Sequence, residues 1–268
     1  MIWRRPASHL SWMVLAAALV SGCATGRLNL PADVGRPLAN FSDIHASLTS
    51  ACAGVRTFTA ELGLSGRVGS ERVRGRVLAG FMRPDAMRLE GVAPLGPPAF
   101  ILVSSAGASM LLLPRDGAVV RDAPPAEVLE ALTGVALEPA DLQAVLTGCV
   151  VANGRAVGGQ IHQNGWASIA LEAGSTLYLQ REGGMWRLRA ARRGQWTIEY
   201  PTWQGQFPAG VRLRSDAATV PVDIAASIGQ LEANVTLEPS TFSVVVPPGT
   251  MELSVGELRR SGPLRGQP

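Results

Sequence analysis

The chain has 268 residues, of which 47% are hydrophobic and 5% are aromatic, and its formal net charge is +3. All 24 of its lysine-plus-arginine positions are arginine, which excludes sites that need a lysine, such as a Walker A phosphate loop or a Schiff base. The charge is close to neutral and no dense basic run is present, so a nucleic-acid partner is not predicted.

The N-terminus has the pattern of a bacterial export signal. Arg4 and Arg5 precede an uncharged apolar stretch over residues 10–20, which is about half of the ~20 residues that a membrane-spanning helix needs. The stretch ends in Val20-Ser21-Gly22-Cys23, which resembles a lipobox. We predict a lipoprotein signal peptide over residues 1–22 and acylation of Cys23; the alternative is an ordinary signal peptide followed by an unmodified cysteine.

Residues 23–37 are predicted to be the acylated cysteine and a flexible linker, because glycines and prolines interrupt any period there. By resemblance to enterobacterial sorting, Ala24 in place of Asp favours the outer membrane. Two or three acyl chains on Cys23 anchor a protein firmly. The predicted location is therefore the periplasmic face of the outer membrane, with the protein held by its lipid anchor.

A helix and a series of strands follow the linker. Apolar residues recur at helical spacing over residues 38–52, and Gly54 ends this helix. From Phe58 the period changes to two, which predicts an antiparallel hairpin of residues 58–64 and 73–81. Further short strands are predicted near 86–92, 99–105, 108–113 and 117–122.

Two short helices interrupt the strands in the middle of the chain. Pro125 and Pro139 lie where each helix begins, and Gly134 and Gly148 lie where each ends. After Gly154 the strand period returns, up to a last predicted strand over residues 242–246. The pattern predicts a mainly β protein with helices (α+β): an incomplete antiparallel β-barrel over residues 38–268, with an N-terminal helix and a helical lid at about 124–148.

Two cysteines remain besides Cys23. Cys52 and Cys149 are the one possible intramolecular pair in an exported protein. A bridge closing a loop of this length contributes about 4.7 kcal/mol in the chain-entropy model. The alternative is two buried free thiols.

Enzyme chemistry is not predicted. Only His45 and His162 remain after removal of the signal peptide, and no zinc-binding motif or phosphate-binding loop is present. Gly63-Leu64-Ser65-Gly66 lacks the second glycine of a nucleophile elbow. We therefore expect no catalytic residue, no metal and no cofactor.

Three local patterns between residues 88 and 148 resemble one family. They are Arg88-Leu89-Glu90 followed by Pro94-Leu95-Gly96, then Leu132-Thr133-Gly134, then Leu142 with Val145, Leu146 and Gly148 behind it. Their order and spacing are similar to those of the LolB family of outer-membrane lipoprotein receptors, within the LolA/LolB-like carrier superfamily. The rest of the chain agrees with this family only in its pattern of helix, hairpin and strands.

The resemblance implies an apolar cavity under the helical lid. In that family the cavity receives acyl chains of lipoproteins from a LolA-like periplasmic carrier, and the receptor places them in outer-membrane lipid. A monomer is expected. The residues expected to line the cavity, or alternatively to fill a packed core, are Leu62, Leu64, Val77, Leu89, Leu102, Leu112, Leu142 and Leu146.

Leu95 lies in a proline-rich loop whose apolar residues follow no period. By the resemblance, Pro94, Leu95 and Gly96 match the protruding loop that inserts into the membrane; the alternative is a leucine folded back under the lid. Two other functions remain open for the chain. It could be a tethered binding module for lipids or other hydrophobic ligands, or a non-catalytic structural lipoprotein of the envelope.

Overall fold

The computed structural model describes residues 27–216 and 220–261. The predicted signal peptide over residues 1–22 and the predicted lipidation site Cys23 lie outside these residues. Within the described ranges, no helix is both long enough and apolar enough to cross a membrane.

The first half of the chain forms a helix and a series of antiparallel strands. In chain order these elements are β1 (Arg36–Pro37), α1 (Phe41–Ala53), β2 (Thr57–Val68), β3 (Glu71–Met82), β4 (Ala86–Val92), β5 (Ile101–Ser105), β6 (Ala108–Leu113) and β7 (Ala118–Ala123). The predicted hairpin is present as β2 and β3, which pair along their whole length from Thr57 opposite Met82 to Val68 opposite Glu71.

Two helices and a second series of strands follow. They are α2 (Pro125–Thr133), α3 (Pro139–Thr147), a 3-10 turn (Cys149–Ala152), β8 (Ala156–Ile161), β9 (Trp166–Leu171), β10 (Ser175–Glu182), β11 (Met185–Arg193), β12 (Trp196–Glu199), β13 (Trp203–Gln204), β14 (Phe207–Pro208), β15 (Gly210–Ser215), β16 (Val222–Ala233), a second 3-10 turn (Pro239–Phe242), β17 (Met251–Glu252) and α4 (Val255–Ser261).

One sheet contains all of these strands except the small β13–β14 hairpin. Its order is β1-β8-β9-β10-β11-β12-β15-β16-β2-β3-β4-β5-β6-β7-β17. Every neighbouring pair is antiparallel except β17 with β7. The strand β16 returns to pair with β2, so the two series of strands join into one curved sheet. The predicted mainly β architecture, an incomplete antiparallel barrel with helices, is confirmed.

The inner face of the sheet forms the core together with the helices. Alternate residues of each strand point inward, and Phe58 stacks on Phe81 with ring centroids 4.7 Å apart. The helix α1 packs against β8, where Phe41 lies so close to Gly159 that a Cβ at residue 159 would lie 2.4 Å from the Phe41 Cβ. A glycine in β8 therefore permits this contact.

Two terminal segments cross the outer face and cover the free edges of the sheet. The N-terminal strap (residues 27–37) packs Leu30 against an outer cluster of Trp166, Tyr178 and Ala190 and adds β1 to β8. The C-terminal strap (residues 234–253) crosses β4 and β5 and adds β17 to β7. Both edges are thus protected from pairing with another chain.

The structure differs from two predictions of the sequence analysis, and the straps explain both differences. Residues 27–37, which lie within the predicted flexible linker, are docked on the sheet, because Leu30 and β1 find partners that are distant in sequence. The predicted strand over residues 242–246 is absent, because this segment belongs to the C-terminal strap. There Arg88 donates hydrogen bonds to the carbonyls of Thr241 and Ser243.

Candidate functional site

The helices α2 and α3 form a lid over the inner face of the sheet. Each begins with a proline and ends at a glycine in the left-handed conformation, Gly134 and Gly148, both with φ 75°. These residues are suited to their positions, since proline lacks the N–H that would be unpaired in a first turn and glycine tolerates positive φ. The lid matches the predicted segment 124–148.

An apolar cavity of about 120 Å³ lies between this lid and the sheet. Among the described residues that line it, only Thr133 is polar, and its hydroxyl donates to the Leu129 carbonyl within α2. The other lining residues are Leu62, Leu64, Val73, Val77, Leu89, Phe100, Leu129, Leu132, Val135, Leu137, Leu142, Val145, Leu146, Val211, Leu213, Ile224 and Ala226.

Six of the eight residues predicted to line the cavity do so, and two lie elsewhere. Leu102 faces the same side as Leu89, its partner in β4, but is fully buried in the packed core. Leu112 is paired with Ile101 and lies on the opposite face from Leu111, so it is buried on the outside of the sheet. Strand alternation therefore removes Leu112 from the site.

A second cavity of about 450 Å³ adjoins the first. Val135 and Leu137, in the connection between α2 and α3, line both cavities. Arg193 and Trp196 contribute to the outer part of the second cavity, and Asp141 of α3 also lines it. The α2–α3 connection, together with Val145 and Leu213, thus separates the apolar cavity from a second cavity that is lined in part by charged groups, which we call the mouth.

The end of α3 is held by contacts with three parts of the chain. Cys149 is bonded to Cys52 of α1, with a Cα–Cα distance of 5.6 Å. The hydroxyl of Tyr200 donates a hydrogen bond of 3.1 Å to the Val145 carbonyl. Tyr200 is fully buried, and this burial raises the pKa of its hydroxyl far above the ordinary value, so it remains a donor. The ring of Trp203 lies against Gly148.

The helix α2 is held by α4, an element that the sequence analysis missed. Leu258 of α4 is fully buried in the core, and Arg259 donates a 2.8 Å hydrogen bond to the Glu130 carboxylate of α2. The sequence does contain a signal for α4. Ser254 and Glu257 form a capping box, in which each side chain accepts the backbone N–H of the other residue.

The loop between β4 and β5 carries the predicted membrane-insertion residues. Leu95 is 85% exposed, so it is not folded under the lid, and Pro94 and Gly96 beside it are exposed as well. Arg115 donates a 2.7 Å hydrogen bond to the Leu95 carbonyl. At the end of the same loop, Phe100 lines the apolar cavity. The exposed loop and the cavity wall are therefore one continuous segment.

The Leu95 loop and the cavity mouth lie at the same end of the sheet, which we call the loop end. Arg193, the last residue of β11 and part of the mouth, pairs with Ser175, the first residue of β10. Ser215 at the end of β15 pairs with Val222 at the start of β16. Val222 in turn pairs with Val68 at the end of β2. The turns at 68–71, 172–174 and 194–195 therefore share one end. Val92, where β4 ends, pairs with Arg76 of the same hairpin, so the β4–β5 loop points toward this end as well.

The two histidines have structural contacts. His45 lies 2.8 Å from the Val151 carbonyl. His162 lies 3.3 Å from the Asp33 carboxylate and 2.8 Å from the Ser168 hydroxyl, an order that resembles a nucleophilic triad. Ser168, however, is buried on the outer face, outside both cavities. We interpret this group as an attachment of the N-terminal strap to β8 and β9.

No cluster of metal-binding side chains occurs in the part of the chain that the structure describes. Specifically, no group of three or more histidine, cysteine, aspartate or glutamate residues there is arranged to hold a metal ion.

Neither a protein-family model nor a curated protein sequence matches this chain. A solved LolA superfamily protein from Nitrosomonas europaea is similar, with a TM-score of 0.51 and 9% identity, over 75% of this chain and 97% of the other. A DUF1329 family protein from Desulfovibrio piger has a TM-score of 0.48 and 10% identity, over 78% and 98%. A domain assigned to outer membrane lipoprotein sorting in Vibrio parahaemolyticus has a TM-score of 0.48 and 9% identity, over 75% and 95%. The chain thus shares the open-barrel fold of the LolA superfamily.

Proposed function

We propose that this protein is a non-catalytic, lipid-anchored module that binds acyl chains in the cavity under its lid. More specifically, we propose that it accepts acylated lipoproteins from a LolA-like periplasmic carrier and inserts them into the outer membrane. The observation that carries this proposal is an apolar cavity whose mouth lies at the same end of the sheet as the exposed Leu95.

The lining of the cavity supports an apolar ligand. Thr133 is the one polar side chain in its lining within the described part of the chain, and that hydroxyl is already bonded within α2. A ligand with a charged group in this space would lose its hydration without gaining a partner, which is strongly unfavourable. Hydrocarbon chains carry no such cost, and burying each CH₂ group contributes about 0.8 kcal/mol.

The size of the cavity indicates that the lid must move. Its volume of about 120 Å³ is below the ~300–1,000 Å³ of typical small-molecule sites and is too small for a long acyl chain. The adjoining cavity at the mouth offers about 450 Å³. Displacement of Val135 and Leu137 would join the two spaces, so we propose that the α2–α3 connection opens when a ligand enters.

The receptor role is supported by three further features. The Leu95 loop leads directly to Phe100 in the cavity wall, which gives a short path between cavity and bilayer. The sequence pattern that precedes Cys23 resembles a lipobox, and an anchor there would keep the domain at a membrane. The fold is shared with a protein of the LolA superfamily, which is consistent with a carrier or receptor of this kind.

Native mass spectrometry tests the proposal. A soluble Cys23→Ala form is mixed with a periplasmic carrier that is loaded with a triacylated lipoprotein. Transfer of the lipoprotein to this protein supports the receptor role. Uptake of phospholipid or fatty acid alone would leave the tethered lipid-binding module as the function. A protein that stays empty with every ligand would contradict acyl-chain binding and favour a structural envelope lipoprotein.

Leu95→Glu tests the insertion step separately. Because Leu95 is exposed, we expect the variant to fold and to accept lipoprotein normally but to lose transfer into vesicles. Val34→Glu is the matched control, since Val34 is similarly exposed and adjoins Gly35 beside His162, at the opposite end of the sheet from the β4–β5 loop. Full transfer by the Leu95→Glu protein, or its failure to fold, would contradict the role of this loop.

A further inference from the structure

Arg27, near the start of the N-terminal strap, is held at the loop end by two carboxylates. The Arg27 guanidinium lies 3.5 Å from the Asp223 carboxylate and 3.9 Å from that of Asp216. Asp223 is itself held in place, because Arg212 donates hydrogen bonds of 2.6 and 2.7 Å to its two oxygens. These bonds, with a smaller contribution from Arg27, lower the pKa of Asp223, so its charge persists at neutral pH. We call the Arg27 contacts the N-terminal clasp.

The clasp leaves a short tether. Cys23 precedes Arg27 by four residues, and four extended residues reach about 14 Å at most. Asp223 is in register with Arg67, which pairs with Arg72 near the tip of the β2–β3 hairpin. An anchor on Cys23 would therefore lie close to this tip, whereas a linker that was free up to residue 37 would permit any orientation.

The surface beside the clasp has the composition of a membrane-contacting face. Leu95 is exposed there, and Val220 next to Gly69 is exposed as well. Four arginines lie in the β2–β3 hairpin and in the β6–β7 turn at this end and have no ion pair with a carboxylate among the described residues: Arg67, Arg72, Arg74 and Arg115. The acidic residues of these two turns are Glu71 and Asp116, so the local charge is positive.

We propose that the loop end is the face that this protein presents to an anionic bilayer, oriented by the N-terminal clasp, with Leu95 entering the bilayer and the arginines binding lipid phosphates. This inference rests on the proposed acylation of Cys23. The planar guanidinium group matches phosphate in geometry, and basic residues beside a lipid anchor strengthen attachment to anionic lipid. The cavity mouth then opens directly toward the membrane.

Depth-dependent quenching of a tryptophan tests this orientation. The full acylated chain carrying Leu95→Trp is placed in nanodiscs of phosphatidylcholine and phosphatidylglycerol with brominated acyl chains, and the fluorescence of the chain without this substitution is subtracted. We expect strong quenching of the added tryptophan. Arg27→Gln in the same protein lengthens the tether to at least Leu30, so we expect quenching to fall about twofold or more.

Arg36→Gln is the matched control for the clasp. Arg36 is exposed on the same strap but has no carboxylate contact among the described residues, so its substitution should leave quenching unchanged. Equal quenching in the Arg27→Gln and Arg36→Gln proteins would overturn the role of the clasp.

The proposed binding of lipid phosphates by the hairpin arginines is tested by varying the phosphatidylglycerol content of the nanodiscs. Arg72→Glu with Arg74→Glu should abolish the increase in quenching that phosphatidylglycerol produces, whereas Arg121→Glu, at an exposed position of β7, should preserve it. The same response in both proteins would overturn phosphate binding by the hairpin.

Intact-mass measurement of the same samples separates this inference from the proposed function. If acyl chains are absent from Cys23, the anchor and this inference fail together. If they are present and the tryptophan at residue 95 is not quenched, the proposed orientation is wrong while the anchor stands.

Discussion

The two lid helices are held in different ways. The end of α3 is fixed by the Cys52–Cys149 disulfide, by the buried hydroxyl of Tyr200 and by Trp203 packed on Gly148. The helix α2 depends on the short helix α4, through buried Leu258 and an ion pair between Arg259 and Glu130. Both side chains of that pair are almost half exposed, at 46% and 47%.

The difference indicates which part of the lid moves. Covalent attachment and buried contacts fix the C-terminal end of α3, so α3 serves as the fixed side of the lid. The helix α2 has weaker support, and the connection that follows it places Val135 and Leu137 where the two cavities meet. Opening there would admit a ligand without unfolding α3, in keeping with local openings that involve the less stable parts of a fold.

Removal of the disulfide has the largest expected effect on the free energy of unfolding. It would also make α3 less firmly held and thus more similar to α2. Cys52 and Cys149 are 97 residues apart, and closure of a loop of this size contributes about 4.7 kcal/mol. We expect the Cys52→Ala/Cys149→Ala protein to lose about this much free energy of unfolding in urea denaturation under oxidising conditions. A loss under about 1 kcal/mol would show that packing alone fixes α3.

Leu258→Ala should weaken the attachment of α2 to α4. A fully buried leucine replaced by alanine costs about 2–5 kcal/mol, and here the loss should fall on the α4–α2 contact. We expect faster amide exchange in residues 125–133 than in residues 139–147, together with faster uptake of an apolar fluorescent probe. Val245→Ala, at an exposed position of the C-terminal strap, is the control. Equal acceleration in both helices would mean that the lid opens as a unit.

The sequence predicted the lid well because its determinants are local. Proline at the start and glycine at the end of each helix depend only on neighbouring residues, and so does the alternation that predicted β2 and β3. The six correctly placed lining residues come from these elements or from β4, where one face is clearly apolar. Local patterning was therefore sufficient for most of the candidate site.

Long-range contacts explain what the sequence did not predict. Leu111, Leu112 and Leu113 are consecutive and all buried, so alternation could not distinguish the inner face of β6 from the outer one. The outer face is apolar in this part of the sheet because the C-terminal strap covers its neighbourhood. Docking of both straps depends on partners more than 100 residues away, such as Leu30 on Tyr178, and no local pattern reports such a partner.

Tyr200→Phe should have a smaller effect on the fixed helix. The substitution removes the hydrogen bond to the Val145 carbonyl, but this carbonyl also accepts the N–H of Gly148 and so keeps one partner. We therefore expect a loss of about 1 kcal/mol in the free energy of unfolding, measured as a lower Tm. Exchange in residues 139–147 should rise slightly while residues 125–133 remain unchanged; the reverse pattern would contradict our assignment of Tyr200 to α3.

Arg259→Gln has the smallest expected effect and is the most specific test of the movable helix. Exposed ion pairs contribute about 0.2–1 kcal/mol, so global stability should hardly change. The pair is, however, the hydrogen-bonded ion pair that joins α4 to α2 among the described residues, and its loss should raise amide exchange in residues 125–133 and accelerate probe uptake. Arg260→Gln is the matched control, because Arg260 lies beside it without an ion pair in the described residues. If both variants exchange like the unsubstituted protein, then Leu258 alone holds α2. The two helices would then differ because α2 is held by apolar packing and α3 by a disulfide.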